Sequence, residues 1–210
     1  MHPKPLIVAA TQAEIMPSIP FFEEHRIPYI VTGVGMLATT YALTKALARS
    51  PSSLVLNVGI AGSFSHNIAI GSVVEIIHDT LSELGAESSE GFIPIEELGF
   101  GSSSWSSLPI DSVQTDLPRV QAITVNKVHG SLTSIAHLQK RLPEIHVESM
   151  EGAAAFYVCH EENMPCIQVR SISNYVEARD KSAWDIPLAI RNLNHWLNNF
   201  LTSNSALFLR

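Results

Sequence analysis

Short apolar runs alternate with amphipathic stretches along this chain of 210 residues. Continuous apolar segments predict buried strands at residues 6–10, 27–31, 54–58, 73–77, 122–125 and 166–169. Apolar positions at helical spacing predict helices at residues 37–48, 134–141, 149–162 and 186–200. Because strands and helices alternate, the pattern predicts an α/β fold, a three-layer α/β/α sandwich. The length fits one domain that covers residues 1–210.

The stretch at residues 82–119 departs from this alternation. It is rich in Ser, Gly, Pro and acidic residues. We interpret it as a long excursion on the surface near the site. Whether it forms a lid over the site stays open at this point.

Composition narrows the classes of function. A formal net charge of −7 without a basic run argues against a nucleic-acid partner. Nine scattered histidines predict no metal site, and about five apolar residues near the N-terminus are too few for a signal peptide or a membrane span. Cys159 and Cys166 are interpreted as buried structural thiols, typical of the cytoplasm.

Three short segments could hold a ligand near the start of the chain. Residues 33–35 (Gly-Val-Gly) and 59–62 (Gly-Ile-Ala-Gly) are interpreted as tight turns after strands, where backbone N–H groups can approach a ligand. Equally, such turns join strands for structural reasons alone. Glu14 follows the first predicted strand, so it is either a general base at the ligand-facing edge of the sheet or a first-turn residue favoured by the helix dipole.

Two later segments add polar side chains where predicted strands end. In residues 147–155, Glu151 precedes a helix rich in Gly and Ala, and one carboxylate can accept hydrogen bonds from two ribose hydroxyls. Glu148 is interpreted as a helix cap. In residues 168–175, Arg170 and Asn174 follow a strand, although Asn174 by itself is also a common turn residue.

The order and spacing of these residues resemble the nucleoside phosphorylase/hydrolase superfamily, above all the methylthioadenosine/S-adenosylhomocysteine nucleosidases. The specific parts are Met-Glu-Gly-Ala-Ala at 150–154 and Arg-Ser-Ile-Ser-Asn at 170–174. Residues 83–87, 179–184 and 186–196 are similar to the futalosine hydrolases of the menaquinone route. The resemblance implies a mixed central sheet, a small purine nucleoside as substrate, no cofactor, and a homodimer or larger homo-oligomer with residues 92–105 as a candidate interface.

The resemblance also implies roles for individual residues. Glu14 would deprotonate the attacking water, Arg170 would orient that water, and Asn174 would face the purine. The substrate-binding residues would be Glu151 at the ribose hydroxyls, Met150 beneath the sugar, and Ile60, Ala61, Gly62 and Val128 around the nucleoside. His129 and Arg179 are candidates for the 5′ substituent, and surface solvation is the other reading of both.

Two departures from the nucleosidases refine the substrate and the nucleophile. Adenine-releasing relatives carry Asp where this chain has Asn174, and an amide can bond to a 6-oxo group as well as to a protonated N7. This favours hypoxanthine as the leaving group. Ile60 offers an anion no donor, which favours water over phosphate. The alternatives are a methylthioadenosine/S-adenosylhomocysteine or aminofutalosine nucleosidase, a phosphorylase, and a catalytically silent nucleoside-binding protein.

Overall fold

A computed structural model describes residues 4–108, 110 and 112–208 of the chain. The strands are β1 Leu6–Ala9, β2 Tyr29–Val31, β3 Val55–Ser63, β4 Val73–Leu81, β5 Gly85–Ser88, β6 Gly91–Pro94, β7 Ser104–Ser106, β8 Arg119–Thr124, β9 Val147–Ser149 and β10 Cys166–Tyr175. The helices are α1 Gln12–Ile15, α2 Ile19–His25, α3 Met36–Leu47, α4 Leu132–Arg141, α5 Gly152–Glu161, α6 Ile186–Ser203 and α7 Ser205–Phe208, with 3₁₀ helices at Met16–Ser18 and Lys181–Ala183.

Eight of these strands form one mixed sheet. Its main order is β10-β4-β8-β9-β3-β1-β2, and β7 pairs with β4. Because β10 pairs also with β3, the strands β3, β10, β4, β8 and β9 close a ring, while β1 and β2 extend the sheet beyond it. The strands β1, β3 and β10 are parallel, so the side chains at their carboxyl ends reach one edge of the sheet.

Helices pack against the sheet through two separate hydrophobic clusters. Leu6 and Val8 of β1 belong to the cluster that includes side chains of α3 and α5. Ile7 and Ala9 belong to the cluster that includes side chains of α1, α2 and α6. This period of two is the geometry of a strand covered on both faces, and it explains why the apolar runs in the sequence are continuous.

The six predicted strands and four predicted helices are all present, but β3, β4 and β10 are longer than predicted. The prediction of a tight turn at residues 59–62 is wrong, because these residues lie inside β3. Likewise, residues 170–175 continue β10. The two strands pair in parallel from Val55 and Cys166 to Ser63 and Tyr175, so interstrand hydrogen bonds hold the glycine-containing segment extended.

Several of the described residues between positions 82 and 119 form strands. The strands β5 and β6 form a separate two-stranded sheet, and β7 joins the central sheet by pairing with β4. Ser103 and Thr115 are buried. The segment is thus partly ordered rather than irregular, and β7 itself is half-buried to exposed; its short polar sequence gives little strand signal.

Cys159 and Cys166 are buried and free, and burial raises the pKa of the Cys166 thiol. Within the described ranges, no helix has the length and apolar character needed to cross a membrane. The same residues contain no group of three or more His, Cys, Asp or Glu side chains placed to hold a metal ion.

Candidate active site

A cavity of about 300 Å³ is lined by residues at the ends of β1, β3 and β10 and by residues before α5. This volume lies at the lower end of the range for small-molecule sites. Eight of the nine residues predicted to form a site line it: Glu14, Ile60, Ala61, Gly62, Val128, Met150, Glu151 and Asn174. The ninth, Arg170, is buried behind the lining.

Three hydrogen bonds hold the carboxylate of Glu14. Its Oε2 accepts from the Thr11 backbone N–H at 2.8 Å and from the Thr11 hydroxyl at 2.9 Å, and its Oε1 accepts from the Ile60 N–H at 3.0 Å. The bonds to Thr11 form a capping box at the start of α1. Glu14 is thus both a helix-terminal residue and a lining residue of the cavity, so the two interpretations of it are compatible.

Arg170 is fixed by residues of the sheet. Its Nη2 donates to Asn57 Oδ1 at 2.5 Å and to Gln168 Oε1 at 3.0 Å, and its Nη1 donates to the backbone carbonyls of Asn57 and Val169. No hydrogen bond joins Arg170 to Glu14 in the described part of the chain, and the Arg170 Nε is buried without a protein partner there. The guanidinium therefore keeps one donor free.

Gly59 is the residue between Glu14 and Arg170. A Cβ atom at this position would lie 2.8 Å from Glu14 Oε1 and 3.7 Å from Arg170 Nη1. Any side chain here therefore enters the space that the Glu14 carboxylate occupies. This close approach accounts for the glycine inside β3, where the strand geometry itself does not require one.

Replacing Gly59 by alanine is expected to displace the Glu14 carboxylate from the Ile60 N–H while the sheet stays intact. The atom that must move is the end of a flexible side chain. A displacement of about 1 Å at a reacting group can cost about 10²-fold in rate. We therefore expect kcat of Gly59→Ala to fall by up to about 10²-fold in steady-state kinetics, while the melting temperature shows that the variant is folded. A wild-type kcat would contradict the close approach.

Glu151 occupies the position before α5. Its Oε1 accepts from the Gly35 N–H at 2.8 Å and its Oε2 from the Met150 N–H at 3.3 Å. Gly35 has a φ of +94°, which favours glycine, so the loop at 33–35 does bring a backbone N–H group to the site. Burial raises the pKa of the Glu151 carboxyl, the Glu14 charge raises it further, and the Gly35 N–H and Arg170 oppose this.

Asn174 lies near the carboxyl end of β10, opposite Gly62 of β3, and lines the cavity. Its Oδ1 accepts from the Ser173 hydroxyl at 2.8 Å, and its Nδ2 donates to the Tyr175 carbonyl at 2.9 Å. A side-chain amide has two N–H groups and two lone pairs on its oxygen. These bonds therefore orient the amide and leave one donor and one acceptor site for a ligand.

The phosphorylase superfamily model matches residues 19–202. The chain belongs to this superfamily. A futalosine hydrolase of Acidothermus cellulolyticus is 36% identical over 177 residues, which are 79% of this chain and 71% of that protein. A futalosine hydrolase of Streptomyces coelicolor is 32% identical over 152 residues. That match covers 70% of this chain. The chain spans 65% of the length of the Streptomyces protein, slightly less than two thirds.

A solved structure has the same fold. The native structure of futalosine hydrolase from Helicobacter pylori superposes with a TM-score of 0.79, covering 96% of this chain and 98% of that one, at 19% identity. The predicted resemblance to the futalosine hydrolases is confirmed by the two sequence relatives. The structural match supports the fold alone.

One hydrogen-bonded pair of side chains, Glu148 and His129, was missed by sequence reasoning. Glu148 lines the cavity, and its two carboxylate oxygens accept from the backbone N–H and the Nδ1 of His129. Its interpretation as a helix cap is wrong, because Glu148 lies in β9 and α5 begins at Gly152. Burial raises the pKa of Glu148, and the bonds from His129 oppose this. Glu148 is buried between Val147 and Ser149 in a short strand, and a carboxylate that is buried there needs a hydrogen-bond partner.

The two residues predicted to contact a 5′ substituent, His129 and Arg179, differ in their position relative to the cavity. His129 lines the cavity, whereas Arg179 is exposed, does not line it, and lies over the Trp184 ring at 5.6 Å from the ring centroid. Trp184 itself lines the cavity. Arg179 can thus support an aromatic wall of the site without facing its interior.

Proposed function

We propose that this protein hydrolyses the N-glycosidic bond of futalosine and releases hypoxanthine and dehypoxanthine futalosine in menaquinone biosynthesis. The observation that carries the proposal is the convergence of Glu14, Glu151 and Asn174 on one cavity. The futalosine hydrolases among its relatives support the substrate.

The proposed reaction needs a base, a ribose clamp and a purine contact. Glu14 takes a proton from water, whose oxygen attacks the anomeric carbon. The bond to the purine breaks, and the purine leaves with the electron pair and takes up a proton from solvent. Glu14 returns its proton to solvent. Glu151 accepts hydrogen bonds from the ribose hydroxyls, Met150 packs beneath the sugar, and Arg170 orients the water and Glu14.

The lining of the cavity favours water as the nucleophile. Phosphate sites usually contain Arg or Lys side chains. The described residues that line this cavity include neither, and the one histidine among them, His129, is paired with Glu148. Ile60 adds an apolar side chain and uses its backbone N–H for Glu14. These features support hydrolysis over phosphorolysis.

The amide of Asn174 favours a 6-oxopurine. One N–H can donate to the 6-oxo group, and the amide oxygen can accept from a protonated N7. A 6-amino group would place a donor against that N–H. A buried polar mismatch costs about 1–3 kcal/mol, so a preference of about 10- to 100-fold follows. A methylthioadenosine/S-adenosylhomocysteine or aminofutalosine nucleosidase is the second candidate, since such enzymes share the superfamily.

Incubation of the purified protein with futalosine in phosphate-free buffer tests the proposal. We expect hypoxanthine and the free sugar product in equal amounts by chromatography and mass spectrometry. Turnover that begins only after phosphate is added, with a sugar 1-phosphate as product, would establish a phosphorylase. Binding of futalosine without any turnover would establish a silent binding protein.

The proposal also includes the setting of the enzyme. We place the chain as one three-layer domain, supported by the two hydrophobic clusters on either side of β1. Two free, buried cysteines support a cytoplasmic location.

An apolar surface next to the cavity supports a homodimer. This surface consists of Val34, which lines the cavity and is 57% exposed, with Leu37 at 84% and Tyr41 at 69%.

Replacing Leu37 by glutamate is therefore expected to convert the dimer to a monomer, because the interface would bury an unpaired charge. Sedimentation velocity measures the mass of the wild type and the variant. Phe100→Glu is the matched control, since Phe100 is 78% exposed and represents the other candidate interface, residues 92–105. Dissociation by Phe100→Glu alone would move the interface to that segment.

A further inference from the structure

A buried chain of hydrogen bonds behind the cavity ends on Asp79. This residue lies in β4 and has no exposed surface. Its Oδ1 accepts from the Thr124 hydroxyl at 2.9 Å, and its Oδ2 accepts from the Gln168 side-chain amide at 2.8 Å. Among the described residues that line the cavity, none of these three appears. Any effect on a substrate must therefore pass through other residues.

One arm of the chain leads to Arg170. The Gln168 amide that donates to Asp79 accepts from Arg170 Nη2 through its own oxygen, at 3.0 Å. Gln168 has no exposed surface, and Arg170 is 2% exposed. Together with Asn57, Gln168 thus fixes the plane of the guanidinium and the direction of its free Nε–H.

The second arm leads to the start of α5. The Thr124 hydroxyl that donates to Asp79 accepts from the Ala153 N–H at 2.8 Å. A Cβ on Gly152 would lie 2.1 Å from Asp79 Oδ2, so the first residue of the helix packs directly on the carboxylate. Glu151 is the next residue back along the chain. The position of its side chain therefore depends on how this helix end is held.

In this series of hydrogen bonds, each donor points along its arm towards Asp79. An ionised carboxylate accepts from both sides without a proton of its own, whereas a protonated acid or an amide would add an O–H or N–H that competes with one of the two donors. The charge of Arg170 and the N-terminal end of α5 favour that ionised form. Burial raises the pKa of Asp79 to about 7; the Thr124 hydroxyl and the Arg170 charge oppose this rise, and the Glu151 charge adds to it.

We propose that Asp79 is a positioning residue for the hydrolysis proposed above. Its carboxylate orients Arg170 through Gln168, and it holds the helix end that carries Glu151 through Thr124. The inference rests on the proposed function, since it assigns the first arm to the attack of water and the second to the ribose. The two arms therefore predict separable kinetic effects.

Three near-isosteric variants, Gln168→Met, Thr124→Val and Asp79→Asn, separate the arms, and Thr124→Ser is the control. Gln168→Met breaks the first arm by removing the bonds to Asp79 and Arg170, and we expect kcat to fall about tenfold or more with little change in KM. Thr124→Val breaks the second arm, and we expect KM for futalosine to rise about tenfold with little change in kcat. Thr124→Ser keeps the hydroxyl, so we expect its KM to equal that of the wild type. Asp79→Asn changes both parameters.

The pH profile adds a measurement that a merely structural role would not change. As the pH falls through about 7, Asp79 takes up a proton, so the wild-type kcat/KM falls there. In Asp79→Asn this step is absent, because the amide does not titrate. Melting temperatures establish that each variant is folded. If Asp79→Asn does not fold, the Gln168 and Thr124 variants and the wild-type profile decide.

The outcomes distinguish the two proposals. No futalosine turnover by the wild type contradicts the proposed function, and calorimetry then still tests the second arm, since unchanged futalosine affinity in Thr124→Val overturns it. Turnover by the wild type with unchanged kinetics in Asp79→Asn overturns the positioning role alone. Equal loss of the same parameter in Gln168→Met and Thr124→Val also overturns it, because that result indicates general destabilisation.

Discussion

Replacing Glu14 by glutamine is expected to lower kcat by about 10²- to 10⁴-fold, the usual contribution of a positioned general base. The amide cannot take a proton from water. When its oxygen accepts from Thr11, its NH₂ faces the Ile60 N–H and that bond is lost. We therefore expect measurable substrate binding without turnover.

Kinetics and calorimetry with futalosine separate these two effects. Glu23→Gln, at an exposed glutamate of α2, removes the same charge away from the cavity and serves as the matched control. We expect wild-type kcat in the control. Full activity of Glu14→Gln would remove Glu14 from the mechanism, and loss of both binding and activity would indicate a structural role in the capping box.

Replacing Asn174 by aspartate is expected to reverse the preference for the purine. The variant can accept from a 6-amino group and, when protonated, can donate to N7. It loses the N–H that we assign to a 6-oxo group. At about 1–3 kcal/mol for each mismatched base, the ratio of kcat/KM for futalosine over aminofutalosine should fall by about 10²-fold or more.

The geometry of Asn174 adds a condition to this experiment. Its Nδ2 donates to the Tyr175 carbonyl, and an ionised carboxylate in the same orientation would face that carbonyl. The reversal should therefore be greater at low pH, where the acid is protonated and can donate. Asn199→Asp, exposed on α6, is the control. An unchanged ratio in Asn174→Asp would separate base selection from this residue.

The sequence predicted the sheet well and the path of two strands poorly. Continuous apolar runs predicted strands where β1, β3 and β10 begin, because burial on both faces leaves no polar positions there. The segment at 59–62 was misread, since glycine in a sequence has the same appearance in a turn and in a strand. Only the side chain of Glu14, 45 residues earlier in the chain, explains Gly59.

Residues that line the cavity were predicted through their order along the chain, whereas their supporting contacts were not. Glu148 and His129 are 19 residues apart, and Asp79 and Gln168 are 89 residues apart. Nothing in the local pattern connects such pairs, because the closure of the sheet into a ring brings them together. Arg170 was placed in the site from its motif, yet its bonds to Asn57 and Gln168 required the structure.

The most direct test of the central claim is one incubation of the wild-type protein with equal concentrations of futalosine and aminofutalosine in phosphate-free buffer. Chromatography of the released bases measures both reactions in the same sample. The account predicts that hypoxanthine accumulates well ahead of adenine. Release of adenine without hypoxanthine would contradict it, because the site would then select a 6-aminopurine despite Asn174.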